Sequence, residues 1–482
     1  MSHYSRLVLV ALCLTSTCAA RVLAQESNPP YDSGLNVVGD PAAGDMPADR
    51  EAGLSSSSTA SQPPPFGGPW NTRPKLTGDW GGLRDQLRDH GFTFDISTTT
   101  YYQGIVSGGL QDTPLFGALE DTFQFGAALE DTFQLGGRND YLLTVDGQKA
   151  GLWKGFGINL HGETVYGDSV NLLTGAVVPV NIGRSLPVPV DNVSALTAVK
   201  FTQALSENFV LYTGKINTVD NLQQPFMPGR GLDAGFMDGA FVFNPVLGRT
   251  IPYSTFGVGG AVLAGGQPVV TLTVYDTHDT STKSVFDDLF DNGAIIYPTV
   301  SLPTEFFGMP GHQTVWGAYS SGRYAILSPE SLLNFPPPVS GLPPTTLVQG
   351  SWWIDYRFDQ ALWIDPTEET RSWGVFGDFG ISDGNPNPIR WSGILGVGGS
   401  SPIPNRQLDS FGMAYYYMGL SDDFRNAVGS IVPLRDERGL ELFYDLGVTP
   451  WFHVTADLQV ITPLLEPVHN SVVLGLRSKI DF

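Results

Sequence analysis

The chain has 482 residues and only two cysteines, Cys13 and Cys18. Both lie in a stretch that reads as an export signal, so the exported protein has no disulfide, no thiolate metal site and no cysteine nucleophile. Long hydrophobic runs are also missing. No stretch holds the roughly 18 consecutive apolar residues that a transmembrane helix needs. If the exported chain crosses a membrane it does so with strands, because a closed barrel is the other structure that pairs every backbone group in lipid. Positive charge is scarce, with 26 Lys and Arg against 48 Asp and Glu and a net charge of −22. Such a surface repels phosphate backbones, so nucleic acid is excluded as a partner. Enzyme signatures are lacking too: no G-x-S-x-G elbow, no P-loop and no G-x-G-x-x-G after a strand. No catalytic residue, metal or cofactor is expected.

What is present is period-two alternation. Near the C-terminus Phe452, Val454, Ala456, Leu458 and Val460 point one way, and His453, Thr455, Asp457 and Gln459 point the other. The next segment sets Val472, Leu474, Leu476, Ile480 and Phe482 against Arg477, Lys479 and Asp481. The same pattern recurs where Leu440, Leu442, Tyr444 and Leu446 oppose Glu441, Phe443 and Asp445. It recurs again where Trp352, Ile354, Tyr356 and Phe358 oppose Trp353, Asp355, Arg357 and Asp359. Phe156, Ile158 and Leu160 alternate with Asn159, His161 and Glu163, and Val270, Leu272 and Val274 with Thr271, Thr273 and Tyr275. Successive strand side chains take opposite faces. One face is apolar and the other carries charges of both signs, which a sandwich core would not hold unpaired. This combination predicts an all-β transmembrane antiparallel barrel with lipid outside and water inside. At about 24 residues per strand with its connection, the chain after Gly91 accommodates roughly sixteen strands, a ring wide enough for a water channel.

The chain divides into four parts. Residues 1–24 read as a signal peptide, with Arg6 ahead of the apolar run Leu7 to Leu14 and with Val22 and Ala24 placed for cleavage. Residues 25–70, rich in Pro, Ser, Gly and Ala, read as a flexible periplasmic leader. Residues 71–91 hold a short amphipathic helix: Asp79 is placed as N-cap, Trp80, Leu83 and Leu87 share a face, and Gly91 suits the left-handed stop. Residues 92–482 form the barrel. Two stretches read as long loops, the acidic Asp276 to Asn292 and the proline-dense Ser328 to Thr346. A seven-residue stretch is duplicated ten residues on, Ala118 to Gln124 recurring as Ala128 to Gln134, and it has no evident role.

These segments resemble the carbohydrate-selective porins of bacterial outer membranes, the OprB type. The resemblance rests on Leu76-Thr77-Gly78-Asp79-Trp80-Gly81-Gly82-Leu83-Arg84, followed in order by Gly151-Leu152-Trp153-Lys154-Gly155 and Tyr212-Thr213-Gly214-Lys215. Pro310-Gly311-His312, Arg406 with Asp409, Glu441 with Tyr444, Asp457-Leu458-Gln459 and Gly475-Leu476-Arg477 ahead of Phe482 continue it. It implies a 16-stranded barrel through which monosaccharides, glucose in particular, diffuse passively. The terminal aromatic Phe482 is similar to the ending read by the barrel-assembly machinery, and outer-membrane lipid is the expected surround. Monomer and homotrimer both stay open.

A sugar channel replaces part of its solute's hydration with weak, transient contacts. Carboxylates and guanidiniums hydrogen-bond hydroxyls. Strand parity places Glu163, Asp355, Arg357, Asp359, Glu441, Asp457 and Arg477 on the inward face, with Trp353 as an aromatic surface. Arg406 and Asp409 join them through the resemblance. The competing reading for each is a wall charge paired with its neighbour to brace the barrel. His161 and His453 share the inward register but lack a metal-ligand spacing, so they read as hydrogen-bonded histidines. Asp276, His278 and Asp279 read as a solvated acidic loop. The rival function is an exported carbohydrate-binding or hydrolysing β-protein without channel activity.

Overall fold

The structure, a computed structural model, describes residues 67–112, 133–189, 191–220, 222–227, 229, 232–329, 346–429 and 432–482. The expected signal, the leader up to residue 66, most of the duplicated unit and most of the proline-dense loop lie outside the described residues. Sixteen strands form one closed antiparallel barrel. They are β1 (Phe92–Gly109), β2 (Phe133–Asp146), β3 (Phe156–Gly167), β4 (Val193–Ser206), β5 (Phe209–Asn217), β6 (Ser254–Ala264), β7 (Gln267–Asp276) and β8 (Ala294–Phe306). The ring continues through β9 (Met309–Ala325), β10 (Leu347–Ile364), β11 (Ser372–Ser382), β12 (Ile389–Ser400), β13 (Ser410–Leu420), β14 (Glu437–Thr449), β15 (Phe452–Thr462) and β16 (His469–Asp481). Each strand pairs with its chain neighbours, and β16 returns to β1 with Ser97 opposite Asp481 and Thr99 opposite Lys479. Closure leaves no unpaired edge, the condition for spanning lipid.

The alternation expected from the sequence sets the two faces. On β14 Leu440, Leu442 and Leu446 are exposed to the outside, whereas Glu441 and Phe443 are buried inside. On β10 Ile354 and Tyr356 face out while Trp353 and Asp355 face in. The segment entering β1 and the end of β16 sit at one end of the barrel, together with tight turns. The β6–β7 turn is Gly265-Gly266, with φ of 59° and 80°. Two successive left-handed residues make the turn whose twist matches a hairpin, and glycine adopts them without strain. The opposite end carries the longer connections.

The segment before the barrel holds the short helix expected, which starts later than Trp80. Asp79 caps as predicted, accepting from the Gly81 N–H. The helix proper is only α1 (Leu83–Asp89), because Gly81 and Gly82 take φ of 70° and 90° and split off a separate turn at Trp80. No residue of α1 is buried, and Leu83 is exposed. The segment docks through its ends instead. Leu76 N donates to Asp481 O (2.8 Å), Trp451 Nε1 donates to Trp70 O (2.6 Å), and Arg84 Nη2 donates to Phe482 O (2.8 Å). It therefore clamps the seam where the last strand meets the first.

Two connections fold into the lumen. Residues 168–192, between β3 and β4, carry α2 (Ile182–Ser185), and residues 218–253, between β5 and β6, carry α3 (Gly239–Val242). Every residue of both short helices is buried. Ala240 and Phe241 of α3, with Val177, Val178, Val180 and Phe236, share a core with inward residues of the far wall such as Phe376, Ile394, Tyr416 and Phe443, whereas Ile182 of α2 and Val242 of α3 cluster with Val219, Leu232 and Tyr253. Phe236 sits among Phe443 (4.9 Å between ring centres), Phe241 (5.0 Å) and Phe376 (5.9 Å). At that height the β10 to β15 side of the barrel is filled by a hydrophobic core. A fourth helix, α4 (Asp422–Gly429), buries Phe424, Ala427 and Val428 in the β13–β14 loop.

Candidate functional site

The polar inward residues fall into two sets on either side of the inner connections. The first lies on β10 to β16. Glu441 accepts the backbone N–H groups of Met237 (2.7 Å) and Asp238 (2.9 Å). Glu437 does the same for Val177 (2.8 Å) and Val178 (3.1 Å). Trp353 Nε1 donates to Thr250 Oγ1 of the inner loop at 2.7 Å. Asp355 accepts from Trp316 Nε1, and its neighbour Asp378 holds Arg357 through Nε (2.8 Å) and Nη2 (2.6 Å). Asp457 accepts from Gln459 (2.9 Å), and Arg477 donates to Gly235 O (2.9 Å) and to Thr455 Oγ1 (3.1 Å).

Expected as a water-facing wall, Trp353, Asp355, Glu441, Asp457 and Arg477 are instead buried beneath the loop. The physical reason is the plug: strand parity says which way a side chain points, not whether the lumen is open there. Of these, Glu441, Trp353 and Arg477 bond the inner loop directly. Asp238, at the N-cap of α3, belongs to the same region. Its Oδ1 accepts from Ala240 N (2.8 Å), and burial pushes its carboxyl well above the usual carboxylate range, with Glu437 and Asp457 adding to the rise.

Three other candidates lie nearer the terminal end. Asp359 pairs with His312 (3.1 Å). Arg406 grips Asp409 through Nε and Nη2, both at 2.7 Å, and Asp409 also accepts from Tyr444 OH (2.6 Å) and Gly447 N (3.0 Å). That network braces the β12–β13 turn against β14.

The second set surrounds a cavity of about 280 Å³ between the inner loop and the wall β16–β1–β2–β3; within it Arg138, Asp140, His161 and Glu163 are themselves buried. Its lining alternates in charge: Lys75, Arg138 and Lys479 stand among Asp95, Asp140, Asp220, Asp233 and Asp481. Leu142, Val219 and Leu232 add apolar surface. At the centre Arg138 donates to Asp140 through Nε (2.9 Å) and Nη2 (2.5 Å) and to Glu163 Oε1 (2.9 Å). Glu163 Oε1 also accepts Tyr253 OH (2.6 Å) and Asn217 Nδ2 (3.3 Å). Burial and the adjoining Glu163 raise the Tyr253 phenol well above its ordinary range, so the hydroxyl stays a donor. Lys479 reaches Asp233 of the inner loop at 2.8 Å, and Lys75 reaches Asp95 at 2.8 Å.

His161 bridges wall and loop, with Nε2 3.0 Å from Asp140 Oδ1 and Nδ1 2.7 Å from Asp220 Oδ1. Both ring nitrogens face carboxylate oxygens, so both must donate. The histidine is hydrogen-bonded as expected, but buried rather than wet. Asp140, His161 and Glu163 lie close enough together to hold a metal ion. The Arg138 guanidinium already occupies that role, bonded to both carboxylates.

Of the candidates read from the sequence, only Glu163 belongs to the cavity cluster. Arg138 and Asp140 were missed although Leu135 and Tyr141 flank them in the same alternation; both outward neighbours are exposed. Lys479 and Asp481 lay on the recognised inward face. Asp220 and Asp233 sit in a loop, where no period reports direction.

The family model described as carbohydrate-selective porin, OprB family, matches residues 88–482. Among solved structures, the chain is similar to the high-pH structure of Pseudomonas putida OprB, with a TM-score of 0.69 and 18% identity over 86% of this chain and 99% of that one. The low-pH structure of the same protein aligns with a TM-score of 0.48 and 15% identity over 86% and 99%. A comparison with curated proteins finds none that matches.

Proposed function

The chain belongs to the carbohydrate-selective porin family, OprB type, and is an outer-membrane β-barrel channel; from that premise we propose that monosaccharides such as glucose cross it by way of the cavity beside Arg138. The observation that carries this reading is the alternation of acid and base around a space of about 280 Å³. Pockets for drug-sized ligands span about 300–1,000 Å³, so this space suits one sugar ring better than two. Aspartates accept from sugar hydroxyls, and Lys75 and Lys479 donate to them, while the buried Arg138 holds the carboxylates of the wall in place. Leu142, Val219 and Leu232 offer apolar surface to the ring's C–H face. Because most of the charges are already paired with one another, each contact with a hydroxyl is weak and the solute leaves again.

The inner loop fixes the aperture, held by Glu441, Glu437 and Trp353 on one side and by Lys479 and His161 on the other. The barrel is oriented with its tight turns and termini in the periplasm and its long loops at the cell surface. Residues 1–24 serve export, residues 25–70 lie in the periplasm, and Phe482 is the signal presented to the assembly machinery. A closed barrel whose exterior is apolar around most of the ring leaves the soluble carbohydrate-binding or hydrolysing alternative without support.

The test is swelling of liposomes containing the purified protein, with glucose compared against disaccharides and against charged solutes of similar size. Faster glucose entry than size alone predicts, reduced by Asp140→Asn and Lys479→Met, is expected. Entry ordered by size alone, unchanged in both variants, overturns the assignment of this cavity.

A further inference from the structure

The charges around the cavity beside Arg138 are unevenly matched. Five carboxylates line it, Asp95, Asp140, Asp220, Asp233 and Asp481, against the cations Lys75, Arg138 and Lys479. His161, both of whose ring nitrogens donate to carboxylates, is a fourth positive group, and Glu163 behind Arg138 is a sixth negative one, which leaves an excess of two negative charges. Position adds to the imbalance. Arg138 and His161 are buried, Lys75 lies 2.8 Å from Asp95, and Lys479 lies 2.8 Å from Asp233, so each cation is already engaged. Asp95, Asp481 and Asp220 keep 41%, 24% and 21% of their side chains exposed. The least engaged is Asp481. Its Oδ1 stands 3.9 Å from Lys479 Nζ and 4.0 Å from Lys75 Nζ, beyond hydrogen-bond reach, while both lysines have a closer partner.

On the reading that this cavity is the sugar path, we propose that the channel sorts monosaccharides by charge. It favours those that carry an ammonium group, the amino sugars, and disfavours those that carry a carboxylate or a phosphate. A solute anion has to draw Lys75 or Lys479 away from the aspartate that holds it. A solute cation meets oxygens that are still open, in a narrow passage where an excess of one sign concentrates the opposite one. An ammonium donates three hydrogen bonds where the hydroxyl it replaces donates one, so Asp481 and Asp220 gain donors and the remaining hydroxyls keep the contacts of a neutral sugar. The two lysines beside Asp481 moderate the attraction, and the solute leaves again.

The experiment follows uptake of labelled glucose, glucosamine and glucuronate into liposomes containing the purified protein. Each is supplied at tracer concentration in the same potassium chloride buffer, at a mildly acid pH that keeps the amine protonated and the uronate ionised. Glucosamine is expected to enter about tenfold faster than glucuronate, the lower end of the enrichment a charged cleft gives its counter-ion, with glucose between them. Asp481→Asn should lower that ratio and Lys75→Met raise it. Asp288→Asn, the same loss of charge at an exposed position of the β7–β8 loop, leaves it unchanged. Equal entry of the two charged sugars, or faster glucuronate, overturns the charge preference while glucose entry still upholds the sugar path. Inserted protein that passes none of the three overturns both. Should Asp481→Asn fail to fold, Asp220→Asn takes its place, and a ratio that neither it nor Lys75→Met moves overturns the assignment to this cavity.

Discussion

Glu437 and Glu441 stand four residues apart on the inward face of β14, and each carboxylate accepts two consecutive backbone N–H groups from a different inner connection. Glu437 holds Val177 and Val178 of the segment after β3; Glu441 holds Met237 and Asp238 of the segment after β5. A carboxylate is the side chain best suited to this, having two acceptor oxygens and no donor to be left over. The wall opposite the cavity thus fastens both inner connections.

Replacing Glu441 by Ala removes both acceptors and leaves two buried N–H groups unsatisfied, at about 1–3 kcal/mol each. Glu441→Gln keeps one acceptor and loses about half of that. The expected result is a lower midpoint for thermal conversion of the folded barrel in detergent, ordered wild type, Gln, Ala, together with larger current fluctuations in single-channel recordings. Equal midpoints for all three would show that the loop is held by its apolar packing alone.

Asp238 makes the loop sensitive to alkali. Its carboxyl is raised by burial, so the folded protein retains a proton that the unfolded chain gives up. Fewer protons are then bound in the unfolded state, and stability falls as pH rises. The loss begins above the ordinary aspartate value of about 3.9 and continues until Asp238 itself ionises in the folded protein. Asn also caps helices and cannot ionise. Asp238→Asn should therefore keep α3 and flatten the decline of loop protection from proteolysis toward high pH. An unaltered pH profile in the variant would assign the decline to another group.

Much of the barrel was legible because lipid imposes a strict code. Leu440, Leu442 and Leu446 must face out, and period two then forces Glu441 inward. The code ends at the lumen wall. Trp353, Asp355 and Glu441 point inward as read, yet the loop that buries them comes from residues 218–253, whose Phe236, Phe241 and Val246 follow neither a strand nor a helix period. Nothing local in β14 reports that a segment two hundred residues away in sequence will cover it. Arg138 and Asp140 were readable by the same alternation, since Leu135 and Tyr141 beside them face out. The short helix at Leu83 was legible, but not its start: two left-handed glycines separate Trp80 from the face that Leu83 and Leu87 share.

Arg138 is the cation on which the cavity wall depends. It is almost wholly buried and bonds both Asp140 and Glu163. Truncation to Met leaves two carboxylates uncompensated, and breaking a buried pair costs about 3–5 kcal/mol. Arg138→Lys keeps the charge but cannot reproduce the fork that spans Asp140. The prediction is a strongly reduced folding yield for Met. For Lys, a folded barrel with slower glucose entry in liposome swelling is expected. A Lys variant as permeable as the wild type would show that charge alone suffices.

The seam between β1 and β16 is closed by contacts outside the ladder, which makes a separate prediction. Arg84 donates to both Gly78 O (2.9 Å) and Phe482 O (2.8 Å), with its guanidinium 4.4 Å from the centre of the Trp80 ring. The last residue is thus held by the segment that precedes the first strand. Hydrogen bonds to a charged group contribute about 1.5–3 kcal/mol, and the partial exposure of Arg84 places the loss in Arg84→Ala at the low end of that range. The effect should fall on unfolding rather than on transport: a lower temperature for conversion of the folded to the unfolded gel band, with glucose swelling unchanged for protein that has inserted. Removing Phe482 takes away the same contact and also the terminal aromatic. If that residue is read during assembly, its deletion lowers the amount of barrel in the outer membrane much more than Arg84→Ala does, although both purified proteins refold into liposomes alike. Equal amounts in the membrane for the two variants would confine the role of Phe482 to its bond with Arg84.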